Sequence, residues 1–406
     1  MNKIKVLIMG AGGQGGPCAS ILSRFENIEQ IRLVDIDEKT AEKAASHIGS
    51  TKITTGKVNA TDSEDVARAA QGVDIVVDVV MPWMATYVMR GALKAGANYI
   101  NTAFDTPFWD ELLTGKELTM DQEFKEAGLT ALLGCGMAPG FTNVIAKYYG
   151  NKLDRVEEIH MRVGKKKLAK EKYEDLITPW NPGWSPKQAL LDCSNPTYAL
   201  EKGEFVLYSP FSGIEECEFP EPVGILPVTH HSHEEIYSMP RTFPDLVECN
   251  FKYFIMPPSA MLYALGLTSQ EEVEVNGVKV RPLDLVVSRI PNPGNAFFHE
   301  NAEALAEADK TAFFEMIIEV AGKKDGERVK YKINCPKMNA PGPELLKLYG
   351  TASVNVALPL SIGAVQILEK PQPGVIFADQ LDPGRFLELM MGTGYPYKWK
   401  EELIKI

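Results

Sequence analysis

KVLIMGAGGQGG, residues 5–16, sets an aliphatic run directly before a glycine-rich bend. Gly10, Gly12 and Gly15 stand in a G-x-G-x-x-G pattern where an apolar strand ends and a helical pattern begins. Each glycine has its own reason. Gly10 permits the tight turn, Gly12 clears a side chain from the path of a pyrophosphate, and Gly15 lets helix and strand pack closely. Ala11, Gly13 and Gln14 complete the bend, whose free N–H groups at a helix N-terminus suit negatively charged phosphates. Pro17 is compatible, because the first helical turn has no intrahelical acceptor for the N–H it lacks.

Outward from the bend, Asp35 closes the next strand about twenty residues after Gly15, where a carboxylate accepts hydrogen bonds from ribose hydroxyls. That charge repels a 2′-phosphate, so NAD is the expected cofactor rather than NADP. Ile36 follows it at the same edge, and Asp37 is placed to cap the helix after it. Apolar runs at Ile4–Met9, Gln30–Val34, Lys52–Val58, Asp74–Val79, Tyr99–Thr102 and Thr130–Leu133 alternate with helical patterns at Gly15–Phe25, Glu38–Ile48, Glu64–Gln71, Trp83–Ala95 and Phe108–Ala127. This is the signature of βαβ units in an α/β fold, a Rossmann doubly wound parallel sheet.

The alternation stops near Asp154, and turn-rich stretches such as ITPWNPGWSP and HHSHEEIYSMPRTF point to a second, α+β domain. The expected division is 1–138 for dinucleotide binding, 139–350 for substrate and dimerisation, and 351–406 as a segment returning to the first domain. Within the last, helices are expected over Ser353–Leu368 and Pro383–Met391.

In a doubly wound sheet, ligands bind beyond the carboxyl ends of the strands. Those ends supply Asn59 and Ala60 after the third strand, Val80, Met81 and Pro82 after the fourth, and Thr102 after the fifth as further cofactor contacts. Pro82 is equally suited to start a helix. Asp105, on the polar exit of the fifth strand, either handles a proton or an amine, or caps the helix near Pro107. After the sixth strand, the Gly134–Gly140 turn is of a kind that brings backbone N–H groups near a ligand. Its Cys135 has no basic neighbour to activate it and reads as an inert core thiol.

A net charge of −12 on 406 residues argues against a nucleic-acid or anionic-membrane partner, which needs concentrated Lys and Arg. The one basic run, Lys165–Lys167, reads as a solvated loop. Six widely spaced cysteines without a C-x-x-C pair indicate neither a zinc site nor a disulfide framework. Lacking a signal-peptide pattern or an apolar run of membrane-spanning length, the chain is expected in the cytoplasm.

Taken together, the glycine fingerprint, NTAFD (101–105), GMAPGFTNVIA (136–146), NPGWSPKQALLDCSNPTYALEKGEFVLYSPFSG (181–213), EECEFPEPVG (215–224), HEEIYSMPRTFPDL (233–246) and MLYALGLTSQEEVEVNGVKVRPLDLV (261–286) resemble the saccharopine dehydrogenase family along nearly the whole chain. The resemblance implies a Rossmann domain plus an α+β domain with the active site between them. It also implies reversible hydride transfer between NAD(P) and a carbon–nitrogen bond of an amino-acid or polyamine-type substrate. Asp35 departs from the Arg- or Ser-bearing turn of NADPH-using branches. His233-Glu234-Glu235 is similar to the carboxynorspermidine branch and Pro240–Phe243 to saccharopine reductases, so the branch stays open.

Such a reaction asks the protein to orient substrate and handle one proton. Arg241 is the candidate for a substrate carboxylate and His233 for the proton, although a salt bridge from Arg241 to Glu234 or Glu235 is the competing reading. His230, His231 and His233 lack a clear third ligand, and no metal is expected. Apolar strands in the second domain suggest a homodimer. The reading from another class is a non-catalytic NAD-binding sensor or scaffold of the same fold, which would bind cofactor without turnover.

Overall fold

A computed structural model describes residues 3–105, 107–168, 180, 182, 185–290, 302–335, 342–396 and 399–406. Strands β1 (Ile4–Met9), β2 (Ile28–Asp35), β3 (Ile53–Lys57), β4 (Ile75–Asp78), β5 (Asn98–Asn101) and β6 (Thr130–Leu133) run parallel in the order β6-β5-β4-β1-β2-β3. That is the doubly wound order, which reverses at β1 and β4. The strands are apolar on both faces because helices cover both, and β4 and β6 are buried throughout.

The second sheet is built from β7 (Arg155–Lys167), β8 (Thr197–Glu201), β9 (Glu204–Tyr208), β10 (Glu215–Glu218), β11 (Ile225–His230) and β12 (Glu248–Phe254). An exposed hairpin, β13 (Val273–Val275) with β14 (Val278–Val280), stands apart from it. The long pair β15 (Ala312–Lys324) and β16 (Glu327–Cys335) completes the sheet's centre. β12 and β7 pair in parallel and the remaining strands antiparallel, so the sheet is mixed. Lys165, Lys166 and Lys167, expected in a loop, instead end strand β7, where Lys165 and Lys166 donate to the carbonyls of Pro182 and Val223.

The tail divides between the sheets. Helix Ala357–Glu369, buried on nearly every side, packs against helix Gly15–Ser23, and β17 (Gly374–Phe377) extends the first sheet beside β6. The last strand, β18 (Lys400–Lys405), pairs with β16 of the second sheet, so the tail does not return wholly to the first.

Two further expectations are corrected. The pattern drawn as one helix over Phe108–Ala127 is two, Phe108–Thr114 and Asp121–Glu126. Gly115, at φ 65°, ends the first in the left-handed cap that glycine adopts most readily. The tail helix drawn from Ser353 begins at Ala357. Trp184, in the expected WSP helix start, lies outside the described residues; the helix Pro186–Ser194 is capped by Ser185, whose hydroxyl accepts from the Gln188 amide. Among the described residues, no helix is long and apolar enough to cross a membrane.

Candidate functional site

The glycine bend follows β1 and opens the helix Gly15–Ser23. Gly10 has φ +97°, and an added Cβ would meet Val80 at 3.2 Å, so the turn and the end of β4 are packed together. At Gly15 a Cβ would lie 1.8 Å from the Gly10 carbonyl oxygen, which only glycine tolerates. Gly12 is the opposite case: a Cβ there would meet nothing within 4 Å. Among the described residues the amides of Gly12, Gly13, Gln14 and Gly15 have no acceptor, and Gln14 Oε1 is buried without a partner. Open space beside four free N–H groups fits the pyrophosphate of a dinucleotide.

Asp35 braces the bend as well as closing β2. Its Oδ2 accepts from the Ala11 amide at 2.8 Å and its Oδ1 from the Asp37 amide at 3.0 Å, so the carboxylate is held in place with lone pairs to spare. Asp37 caps the helix Glu38–Ile48, accepting from Lys39 N. Beyond Asp35, Ile36 is 59% exposed, an apolar surface at the adenine end of such a site. Asn59 is occupied locally: its Oδ1 accepts from the amide and hydroxyl of Thr61 in a turn that leads past buried Ala60. Val80 and Met81 are half-buried, and Pro82 begins a short 3-10 turn, Pro82–Met84. Thr102 is half-buried, with its carbonyl against the Gly136 backbone.

The Gly134–Gly140 turn is closed on itself. Gly134 N donates to Asn101 Oδ1, Cys135 N to Asn101 O, Gly136 N to Pro139 O and Gly140 N to Asn143 Oδ1. These amides are spent on bracing, so the expected ligand contact through them is withdrawn. Cys135 is buried, its thiol pushed far up by burial, and it packs against Gly363 of the tail helix.

Asp105 does not cap the following helix; the cap position is Pro107, with no side-chain bond. Half-buried, its carboxyl is pushed up to about 6 by burial, a value suited to proton transfer near neutral pH. Its carbonyl accepts from the amide of Trp109, whose ring stacks on Tyr237 of the second domain with centroids 5.3 Å apart and planes 12° apart. Helix Phe108–Thr114 thereby packs on helix Glu235–Thr242. The exit of β5 and the His233 segment are brought to one interdomain seam, though among the described residues no hydrogen bond joins Asp105 to His233.

Across that seam His233 Nδ1 lies 2.5 Å from Glu235 Oε2 and 3.7 Å from Glu234 Oε2. Burial alone would lower the imidazole, but the Glu235, Glu234 and Asp192 carboxylates outweigh it and raise it to about 9. Burial pushes Asp192 up to about 7, against the pull of His233 and Gln188. Glu234 is pushed by burial to about 8, with Glu235 and Asp192 adding and His233 opposing. Glu235 Oε1 also accepts from Thr142 Oγ1 at 2.6 Å. His231 is lowered to about 3 by burial and by charged His233, and stacks on Tyr253. His230 is lowered to about 4, mainly by burial, and stacks on Tyr208, so both imidazoles are uncharged near neutral pH. The side chains of His233, Glu234 and Glu235 lie close enough together to ligate a metal ion, a grouping the histidine spacing alone did not point to.

Arg241 makes no salt bridge to Glu234 or Glu235, which face His233. It is exposed, one helical turn beyond Tyr237 and on the same face, at the rim of the seam. Residues that pattern reading passed over are Asp192, Trp109, Tyr237, Tyr198, Asn143 and Asp379. The two carboxylates belong to segments far from His233 in sequence; an aromatic in the first turn of each facing helix was the one available cue for the stack.

The ionisation of His233 has a consequence for stability. Its folded-state value lies above the ordinary 6.5, so the bonus is complete below pH 6.5 and is lost as pH rises through about 9. Thermal melts should show the wild type losing up to about 3 kcal/mol across that window. His233→Gln should flatten the loss, and an unchanged slope in the variant would refute the assignment.

A doubly wound sheet carrying this glycine bend, joined at a seam to a second domain with buried titratable groups, defines a nicotinamide-dependent oxidoreductase of two domains. Residues 6–132 match the family model of the saccharopine dehydrogenase NADP binding domain, and residues 136–395 that of the saccharopine dehydrogenase C-terminal domain. The chain belongs to the saccharopine dehydrogenase family. Its activity is the transfer of a hydride between NAD(P) and a carbon–nitrogen bond.

Relatives span its full length. Carboxyaminopropylagmatine dehydrogenase of Synechocystis sp. is 26% identical, covering 97% of this chain and 96% of the relative. Carboxynorspermidine synthase of Vibrio cholerae is 24% identical, covering 96% and 95%. In fold, saccharopine dehydrogenase (L-Glu forming) of Saccharomyces cerevisiae superposes with a TM-score of 0.68 at 14% identity, covering 99% of this chain and 100% of that one. Homospermidine synthase of Legionella pneumophila, solved in complex with NAD, gives 0.61 at 15% identity, covering 100% and 92%.

Proposed function

We propose that the chain is an NAD-dependent dehydrogenase that interconverts an imine and a secondary amine in a carboxylated polyamine-type substrate. The observation that carries the reading is the seam itself: the open cradle at Gly12 lies along the same strand ends as Asp105, and the Trp109–Tyr237 stack draws His233 toward them. The full-length relatives support the substrate class, since both are named for carboxylated amines.

NAD, when bound, supplies or accepts the hydride. Gly10 to Gly15 would receive its pyrophosphate, Asp35 the adenosine ribose, Ile36 the adenine, and Ala60, Val80, Met81, Pro82 and Thr102 the remainder along the strand ends; Asn59 would contribute from its turn. A fixed carboxylate at Asp35 disfavours a 2′-phosphate and supports NAD over NADP. His233, held at Nδ1 by Glu235, keeps Nε2 as the nitrogen from which a proton reaches the substrate amine. Asp105 takes up or returns a proton from the opposite wall, and Arg241 at the rim pairs with the substrate carboxylate.

The test is turnover of carboxynorspermidine or carboxyaminopropylagmatine with NAD and NADP compared side by side, followed at the reduced-nicotinamide absorbance. Faster turnover with NAD is expected; cofactor binding without turnover on a broad panel of such amines, amino acids included, would favour a sensor. Arg241→Ala should raise the substrate KM about tenfold or more with the NAD dissociation constant unchanged. Equal loss of both would discard the role. Free cysteines support a cytoplasmic location, and the exposed valines of the β13–β14 hairpin support a homodimer, to be checked by light scattering.

A further inference from the structure

The end of β4 holds a carboxylate in the core without a counter-ion. Asp78 is 3% exposed, and among the described residues no lysine, arginine or histidine pairs with it. Burial raises its carboxyl to about 6, with Tyr99 and the Val80 amide opposing, so it is ionised at neutral pH. A buried charge of this kind is costly, and hydrogen bonds are what offset the cost.

Those bonds open a chain across the exits of three strands. Asp78 Oδ1 accepts from the Val80 amide at 3.0 Å, and Oδ2 from the Tyr99 hydroxyl at 2.6 Å. The same hydroxyl accepts from Asn101 Nδ2 at 3.1 Å, and Asn101 Oδ1 accepts from the Gly134 amide at 2.8 Å. Tyr99 and Asn101 stand two residues apart on β5 and share a face, so they bridge β4 on one side and β6 on the other. Both ends of the chain are backbone N–H groups pointing inward. Within this chain the hydroxyl and the side-chain amide each accept once and donate once, so they pass its polarity along without reversing it. It closes only if one member accepts twice and donates nothing, which a carboxylate does and an amide cannot.

We propose that Asp78 is a positioning residue for the nicotinamide half of the cofactor: through Tyr99 and Asn101 it holds the β4 exit, Val80–Pro82, and the β5 exit at Thr102 in register with the turn after β6. This rests on the strand-end cofactor contacts assigned above and is independent of which amine reacts. The β4 exit lies against the cradle, since a Cβ added at Gly10 or Gly15 would meet Val80 or Val79, respectively, at 3.2 Å.

Calorimetry on the full chain with NAD and with ADP, which lacks the nicotinamide and its ribose, tests it. Asp78→Asn should weaken NAD about tenfold or more and ADP less than about twofold, because Asp35 and the Gly12–Gly15 amides hold the part the two ligands share. Tyr99→Phe, which cuts the chain at its middle, should show the same selective loss. Asp78→Asn combined with Asn101→Asp moves the double acceptor along the chain and satisfies every donor again, so NAD affinity should return to within about twofold of wild type. Wild-type NAD affinity in both single variants, equal losses of NAD and ADP, or a double variant no better than Asp78→Asn would each overturn the role. Binding of neither ligand by the unmodified protein would remove the cradle itself, and the role with it.

Discussion

Asp379→Ala is expected to lower the unfolding free energy by about 3–5 kcal/mol, the largest single effect outside the hydrophobic core. Asp379 is fully buried in the turn after β17. Its Oδ1 accepts from Asn143 Nδ2 and from Ser238 Oγ, each at 2.8 Å, and its Oδ2 from Thr242 Oγ1. One carboxylate thus ties the helix that follows the β6 turn, the helix that carries Glu235 and Tyr237, and the tail. Removing it takes the acceptor from two buried donors and one half-buried one at once. Asp379→Asn keeps one acceptor oxygen and should cost less. Denaturant titrations that place the alanine variant within about 1 kcal/mol of wild type would show that water replaces the carboxylate freely.

The second large effect separates two glycines of the bend. Gly12→Val should leave the melting temperature within a few degrees of wild type, because a Cβ there meets no protein atom within 4 Å. It should nevertheless weaken cofactor binding by about a hundredfold or more, since the added atoms occupy the phosphate's approach. Gly15→Ala should fail in both respects: its Cβ would lie 1.8 Å from the Gly10 oxygen, an overpacking that costs about 1–3 kcal/mol and displaces the turn. Calorimetry with NAD and a thermal melt on each variant decide the matter. Undiminished NAD affinity in Gly12→Val would remove the cradle from the dinucleotide site.

The cradle was legible because its logic is local. A strand, three glycines at fixed spacing and one carboxylate at the next strand end suffice to place Gly10, Gly12, Gly15 and Asp35, and the alternation of strand and helix patterns suffices for a parallel sheet. The polar cluster at the seam was legible only in part. His233 drew notice through its type, and Arg241 through its charge, but Asp379 meets Ser238 across 141 residues and Asn143 across 236, distances over which no periodicity speaks. The Phe108–Ala127 pattern misled because two short helices on either side of Gly115 present one continuous helical period. The Gly134–Gly140 turn misled for a different reason: glycines that admit a ligand and glycines that let a loop fold back on itself look alike until their amides are traced.

The divided tail dictates an order of assembly. Until residues 357–377 have left the ribosome, β6 is a bare sheet edge and the apolar groove of helix Gly15–Ser23 has no cover. The nucleotide-binding half, although encoded first, is therefore completed last, and a nascent chain cut short before Ala357 carries an intact fingerprint on an unfinished sheet.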